Sequence, residues 1–175
     1  SAPDYETKSS YTATVTATDG TNTTTQAITV SVTNINEAPS FSSSASFSAA
    51  ENQTAIGSVS VSDQEGDSIT YSLGGTDASS LAISSSGVVS FSSAPNYESK
   101  NSYSANVNAG DGTNTTTQAI TVSVTDVNDV PVATAAGYIL NLLPKAQSGG
   151  NITLAGTDED GDTLTYSIVS NGSYG

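Results

Sequence analysis

Apolar and polar residues alternate along much of the chain with a period of two. In Tyr11–Thr18, Tyr11, Ala13, Val15 and Ala17 fall on one face and threonines on the other. In Ala27–Thr33, Ile28, Val30 and Val32 do the same. Such alternation, with Thr and Ser outward, predicts half-buried antiparallel strands. Asp19-Gly20-Thr21-Asn22 between them is a turn signal, so the pair reads as a hairpin. The pattern returns in Tyr103–Ala109 and Ile120–Val124. Shorter runs at Ala45–Ala49, Ile56–Val61, Ile69–Leu73, Leu81–Ile83 and Val88–Phe91 complete a set of short strands separated by Gly, Asn, Asp and Ser. No segment carries a 3.6-residue apolar period, and the spacing of the strands fits an all-β, immunoglobulin-like Greek-key sandwich.

The second hairpin is a copy of the first. Gly20–Thr33 and Gly112–Thr125 both read GTNTTTQAITVSVT, 92 positions apart. The same spacing aligns Ser1–Glu6 with Ser93–Glu98, and Asn34–Pro39 with Asp126–Pro131. A period this long is a whole small domain, beyond the roughly 20–50 residues of a solenoid repeat. The segment Asp158-Glu159-Asp160-Gly161-Asp162 echoes Asp63-Gln64-Glu65-Gly66-Asp67 at a spacing of 95, so a third copy carries about three extra residues before this motif. The expected organisation is a complete repeat at 38–129, the C-terminal part of another at 1–37 and the N-terminal part of a third at 130–175. Pro39 and Pro131 hold the preceding residues extended, where each repeat would begin.

Charge narrows the function. The chain has 17 acids against 3 lysines and no arginine, a net charge of −14. Nucleic acid and anionic membranes both call for Lys or Arg, so neither is an expected partner. The longest apolar stretch, Tyr138–Leu143, is too short for membrane insertion. With no His and no Cys, and with Lys8, Lys100 and Lys145 scattered, the chain is not expected to be an enzyme. The acids recur in sets: Asn34, Asn36 and Glu37 with Asp126, Asn128 and Asp129; Asp63, Glu65 and Asp67 with Asp158, Asp160 and Asp162; Asp4 and Glu6 with Asn96 and Glu98. Glu51 and Asp111 (matched by Asp19) stand alone. Packed carboxylates repel one another unless a cation gathers them, and Ca²⁺ takes six to eight oxygen ligands from carboxylates, Asn and backbone carbonyls; the other reading is a set of solvated turn residues, since Asp and Asn favour turns. Asp160-Gly161-Asp162 is not an EF-hand loop, since Thr163 stands where that loop needs Gly and no helices flank it.

In this ordered combination the chain resembles the cadherin repeat family, including its bacterial cadherin-like members. The resemblance spans the complete repeat and both partial ones. It implies tandem cadherin-type β-sandwiches with Ca²⁺ between successive domains. At the second joint it implies Glu51, Glu98, Asp126, Asn128, Asp129, Asp158 and Asp160 as ligands, with Asp162 in the same motif. At the first joint it implies Glu6, Asn34, Asn36, Glu37, Asp63, Glu65 and Asp111, with Asp67 beside them. Asn34, Glu37 and Glu65 stand where the family has Asp, so the first joint is expected to bind Ca²⁺ more weakly than the second. The third repeat has no acid in Asn141–Ile152 to match Glu51. The implied function is a calcium-rigidified spacer in a secreted or cell-surface adhesin or extracellular matrix fibre, such as a bacterial surface protein of a biofilm. Its partners are then the neighbouring repeats of the same chain. Two alternatives are a polysaccharide-binding module and a filament subunit in which the tail of one chain completes the head of a like chain. Asn22, Asn52, Asn114, Asn151 and Asn171 each open an Asn-x-Ser/Thr sequence, several of which chance supplies in a chain so rich in Ser and Thr.

Overall fold

A computed structural model of the chain describes residues 2–134 and 154–167. Strands β1 (Ser10–Thr18) and β2 (Thr23–Ser31) form the first hairpin, with Ser10 opposite Ser31 and Thr18 opposite Thr23. Seven strands then build a sandwich: β3 (Ser40–Phe41), β4 (Ser46–Ala50), β5 (Ala55–Ser58), β6 (Val61–Ser62), β7 (Thr70–Gly74), β8 (Leu81–Ile83) and β9 (Val88–Phe91) lead to the second hairpin. That hairpin is β10 (Ser102–Gly110) and β11 (Thr115–Thr125), in the register of the first. Among the described residues the third copy contributes β12 (Val132–Thr134) paired antiparallel with β13 (Ala155–Thr157). Tyr138–Leu143, Lys145, the stretch Asn141–Ile152, and Asn151 and Asn171 lie outside the described residues.

One sheet has the order β4-β11-β10-β7, and the other β5-β9-β8, with β3 paired to β6 alongside. The first edge is parallel, Ser46 opposite Thr121 and Ala50 opposite Thr125, so the chain crosses from β3 to β4 to change sheets. The two inner faces supply the core: Val59, Leu81, Val89 and Phe91 from one side, Ala49, Ala105, Val107, Ile120, Val122 and Val124 from the other. Phe91 meets Tyr103 edge to face, centroids 5.0 Å apart, the geometry that the ring quadrupoles favour. At 38–129, then, alternation became burial as the sequence pattern required.

Two departures have physical causes. The run Ile56–Val61 is split into β5 and β6, with a bulge between Ala55 and Gly57. A Cβ on Gly57 would sit 3.1 Å from the Phe47 ring, so this strand lets an aromatic side chain press on its backbone. The first hairpin, expected to be half buried, is exposed along its whole length. Ile28 is 39% and Val30 57% exposed, against 2% and 0% for Ile120 and Val122 in the identical copy. Among the described residues no second sheet covers β1–β2, which pairs only within itself. Tyr97 likewise packs on the core, while its counterpart Tyr5 is 40% exposed.

Candidate metal centres

Local chemistry first fixes the acids that flank the strands. In each hairpin turn one aspartate accepts two backbone N–H groups through Oδ1. Asp19 takes those of Thr21 (2.9 Å) and Asn22 (2.6 Å), and Asp111 those of Thr113 (2.6 Å) and Asn114 (2.6 Å). These are Asx turns, and Gly20 (φ 95°) and Gly112 (φ 100°) supply the left-handed position that they need. Asp63 Oδ1 does the same for Glu65 and Asp67, and Asp158 Oδ1 accepts the N–H of Asp162. The turns thus aim the intervening Glu65 and Asp160 at the linkers: Glu37 N–H donates to Glu65 Oε2 (3.3 Å), and Asp129 N–H to Asp160 Oδ2 (2.6 Å).

Three groups of carboxylates result, each with oxygens within 4.8 Å of one another. Glu6, Glu37 and Glu65 meet at the linker 34–37. At the linker 126–129 there are two groups, Glu51 with Glu98 and Asp129, and Glu98 with Asp126 and Asp160, so Glu98 is shared. Glu51, at the end of β4, is buried to 2% exposure. Its two oxygens accept the N–H groups of Tyr97 (2.7 Å) and Val127 (2.8 Å), which ties β4 to both the Asn96-Tyr97-Glu98 segment and the linker. Asn52 beside it adopts φ 61° and donates from Nδ2 to Asp129 Oδ1.

Among the described residues the one salt bridge, Lys100 with Asp77, involves none of these groups. A hydrogen bond shared with Glu65 pushes the Glu37 carboxyl up to about 7, helped by lost hydration and by the charges of Glu65, Glu6 and Asp4. Lost hydration, then the charges of Glu65 and Asp4, also raises Glu6. Asp126 is raised by lost hydration and then by Asp160, Glu51 and Asp129. For Glu98 its own backbone N–H lowers the carboxyl, but lost hydration with Glu51, Asp126 and Asp160 outweighs it. Asp111 runs the other way, held below the usual carboxylate range by the Asn114 N–H and the Asn36 amide. Among the described residues three carboxylate oxygens are buried with no hydrogen-bond partner, Asp63 Oδ2, Glu65 Oε1 and Asp129 Oδ2. A buried anionic oxygen without a donor is costly, and a hard divalent cation is the partner that such donor sets fit.

Of the residues that sequence singled out, Glu6, Glu37, Glu51, Glu65, Glu98, Asp126, Asp129 and Asp160 fall in these groups. Asn36 borders the first, its Nδ2 shared between Asp111 Oδ2 (2.9 Å) and the carbonyl of Glu37. Asn128 repeats the bond to the next carbonyl, that of Asp129. Asp63 and Asp158 act through their turns. Asn34, Asp67 and Asp162 are exposed and outside the groups. Asn52 was missed, although Asn is among the residue types that most readily take positive φ. Asp77, also missed, accepts from Lys100 Nζ (2.5 Å) and Ser104 N–H and belongs to none of the groups; these bonds lower its carboxyl pKa.

No family model and no curated protein matches the chain. Solved structures do. A protocadherin gammaB7 EC3-6 structure, described as a cis-dimer, is 24% identical with a TM-score of 0.62, over 91% of this chain and 44% of that one. Protocadherin Gamma B2 domains 3-6 give 24% and 0.61, over 89% and 44%. Mouse cadherin-23 EC22-24 gives 25% and 0.55, over 73% and 45%. The chain therefore spans less than half the length of these structures, and its fold is that of cadherin extracellular domains.

Proposed function

We propose that the chain is a calcium-rigidified spacer of an extracellular or cell-surface adhesion protein, in which Ca²⁺ bridges successive units divided at about residues 37 and 129. The observation that carries this reading is the set of buried, unpartnered oxygens on Asp63, Glu65 and Asp129, all beside the linkers. Glu6, Glu37, Glu65 and Asp63 would hold a cation at the first linker. Glu51, Glu98, Asp126, Asp129 and Asp160 would do so at the second. The cation would replace repulsion between carboxylates of adjoining units by a shared attraction, and a string of units would stiffen where Ca²⁺ is abundant. The groups are carboxylates drawn from both sides of each linker, and gathered on a cation they would hold adjoining units together. Among the described residues no helix is long and apolar enough to cross a membrane.

Calorimetric titration with Ca²⁺ tests this reading, with Mg²⁺ as the competitor. Saturable binding of more than one ion, weakened by Glu98→Gln at the second linker, supports it. Heats no larger than those of dilution would refute it.

A further inference from the structure

Two hydrogen bonds cross the linkers at matching places, with donor and acceptor exchanged. Gln64 Nε2 donates to Asp4 Oδ1 at 3.4 Å, and Asn96 Nδ2 donates to Glu159 Oε2 at 3.0 Å. Asp4 and Asn96 are the same position of the repeat, as are Gln64 and Glu159. The amide and the carboxylate have therefore traded sides between the two linkers. Because a carboxylate only accepts, the amide nitrogen is the donor in both, and each pair has one workable sense. The upstream member is pinned by its own turn. Asp4 Oδ1 accepts the N–H of Glu6 (3.0 Å) and Thr7 (3.2 Å), and Asn96 Oδ1 that of Ser99 (2.8 Å). Neither pair belongs to the three carboxylate groups.

We propose that this exchanged amide–carboxylate pair is a cation-independent fastener that matches each unit to the unit following it. An Asp4-type upstream unit joined to a Glu159-type downstream unit would face two carboxylates with no donor between them. The opposite misjoining faces two amides, which still bond. Discrimination is thus one-sided: it rejects the doubly acidic junction. The inference rests on the division into units and not on calcium, so it is tested in EGTA.

The chain has no cysteine, so Ser85→Cys and Thr165→Cys carry a clean pair of nitroxide labels on either side of the second linker, and pulsed electron paramagnetic resonance reads the distance distribution. Asn96→Asp should broaden it about two-fold, since like charges set face to face repel. N96D/E159Q should restore the original width with the pair reversed, as at the first linker. N96D/D162N has the same net charge and should stay broad. An unchanged width in N96D, or equal rescue by Asp162→Asn, would overturn the proposal. The first linker provides an independent case with labels at Thr14→Cys and Ser85→Cys: Gln64→Glu should broaden the distribution and D4N/Q64E should restore it. Failure of that rescue would also overturn the proposal.

Discussion

Residues 20–33 and 112–125 are letter for letter the same, yet among the described residues nothing packs across the first copy, while the second is the middle of a core. What they share is local. Both turns are closed by an aspartate taking two N–H groups, both strand pairs hold one register, and Val32 and Val124 donate to the carbonyls of Ser9 and Asn101. What differs is what lies across the inner face. Ile120 and Val122 look onto β5, β8 and β9, whereas Ile28 and Val30 look onto nothing among the described residues. Turn chemistry and register are properties of the segment, and burial is a property of its neighbours.

That contrast is sharpest for Ile120→Ala and Ile28→Ala. Emptying a site in the packed core should cost about 2–5 kcal/mol, while the same change in the exposed copy should stay within about 0.5 kcal/mol. Urea unfolding monitored for the sandwich distinguishes the two. Equal losses would mean that the first hairpin is covered in solution.

Glu51 makes the second difference. Tyr97 and Val127 donate to its buried carboxylate, while the corresponding N–H groups of Tyr5 and Ile35 have no such acceptor among the described residues. Glu51→Ala should therefore cost about 1–3 kcal/mol for each orphaned N–H, with EGTA present so that no ligand is lost. A neutral result would show that relief of the Glu51 repulsion with Glu98 and Asp126 offsets the two lost acceptors.

The linkers extend the comparison to ions. Asp126→Asn gives the second linker the amide that Asn34 places in the first, and affinity there should fall about ten-fold because site charge sets calcium affinity. No change on titration would place Asp126 outside the coordination sphere.

The smallest expected effect is in pH. Glu37 is raised from 4.5 to about 7, so its folded form holds a proton more tightly than its unfolded form. In EGTA that contribution to stability is complete below about pH 4.5 and is lost as pH rises through 7. Melting in EGTA should therefore decline across this window, and Glu37→Gln should flatten the decline. A stability that climbs steadily from pH 5 to 8 in EGTA would contradict the raised carboxyl.

Much of this was legible because the alternation is clean. Leu81–Ile83 and Val88–Phe91 fall where their β-branched and aromatic residues indicate, and the repeat placed Glu51, Glu98 and both linkers in one framework. The break inside Ile56–Val61 was not legible, since β5 pairs with β9 and β6 with β3, and the segment itself does not say which strands will lie beside it. Nor was the exposure of Tyr11, Val15 and Ile28, because an apolar face says nothing about what will cover it. At the candidate sites the acids were visible, but their division of labour was not. Asp67 and Asp162 resemble Glu65 and Asp160 in sequence, yet their N–H groups close the turns and their side chains stay outside the groups. The swap of Asp4–Gln64 for Asn96–Glu159 emerges only when the linkers fold the two copies together.

Whether calcium gathers the linker carboxylates is read from thermal melting in calcium, in magnesium and in EGTA. A ligand bound only by the folded state stabilises it, by about 2.7 kcal/mol at one hundred times its Kd. Tm should rise clearly with calcium and not with magnesium. Superimposable melts in all three would contradict it and leave these acids as solvated turns.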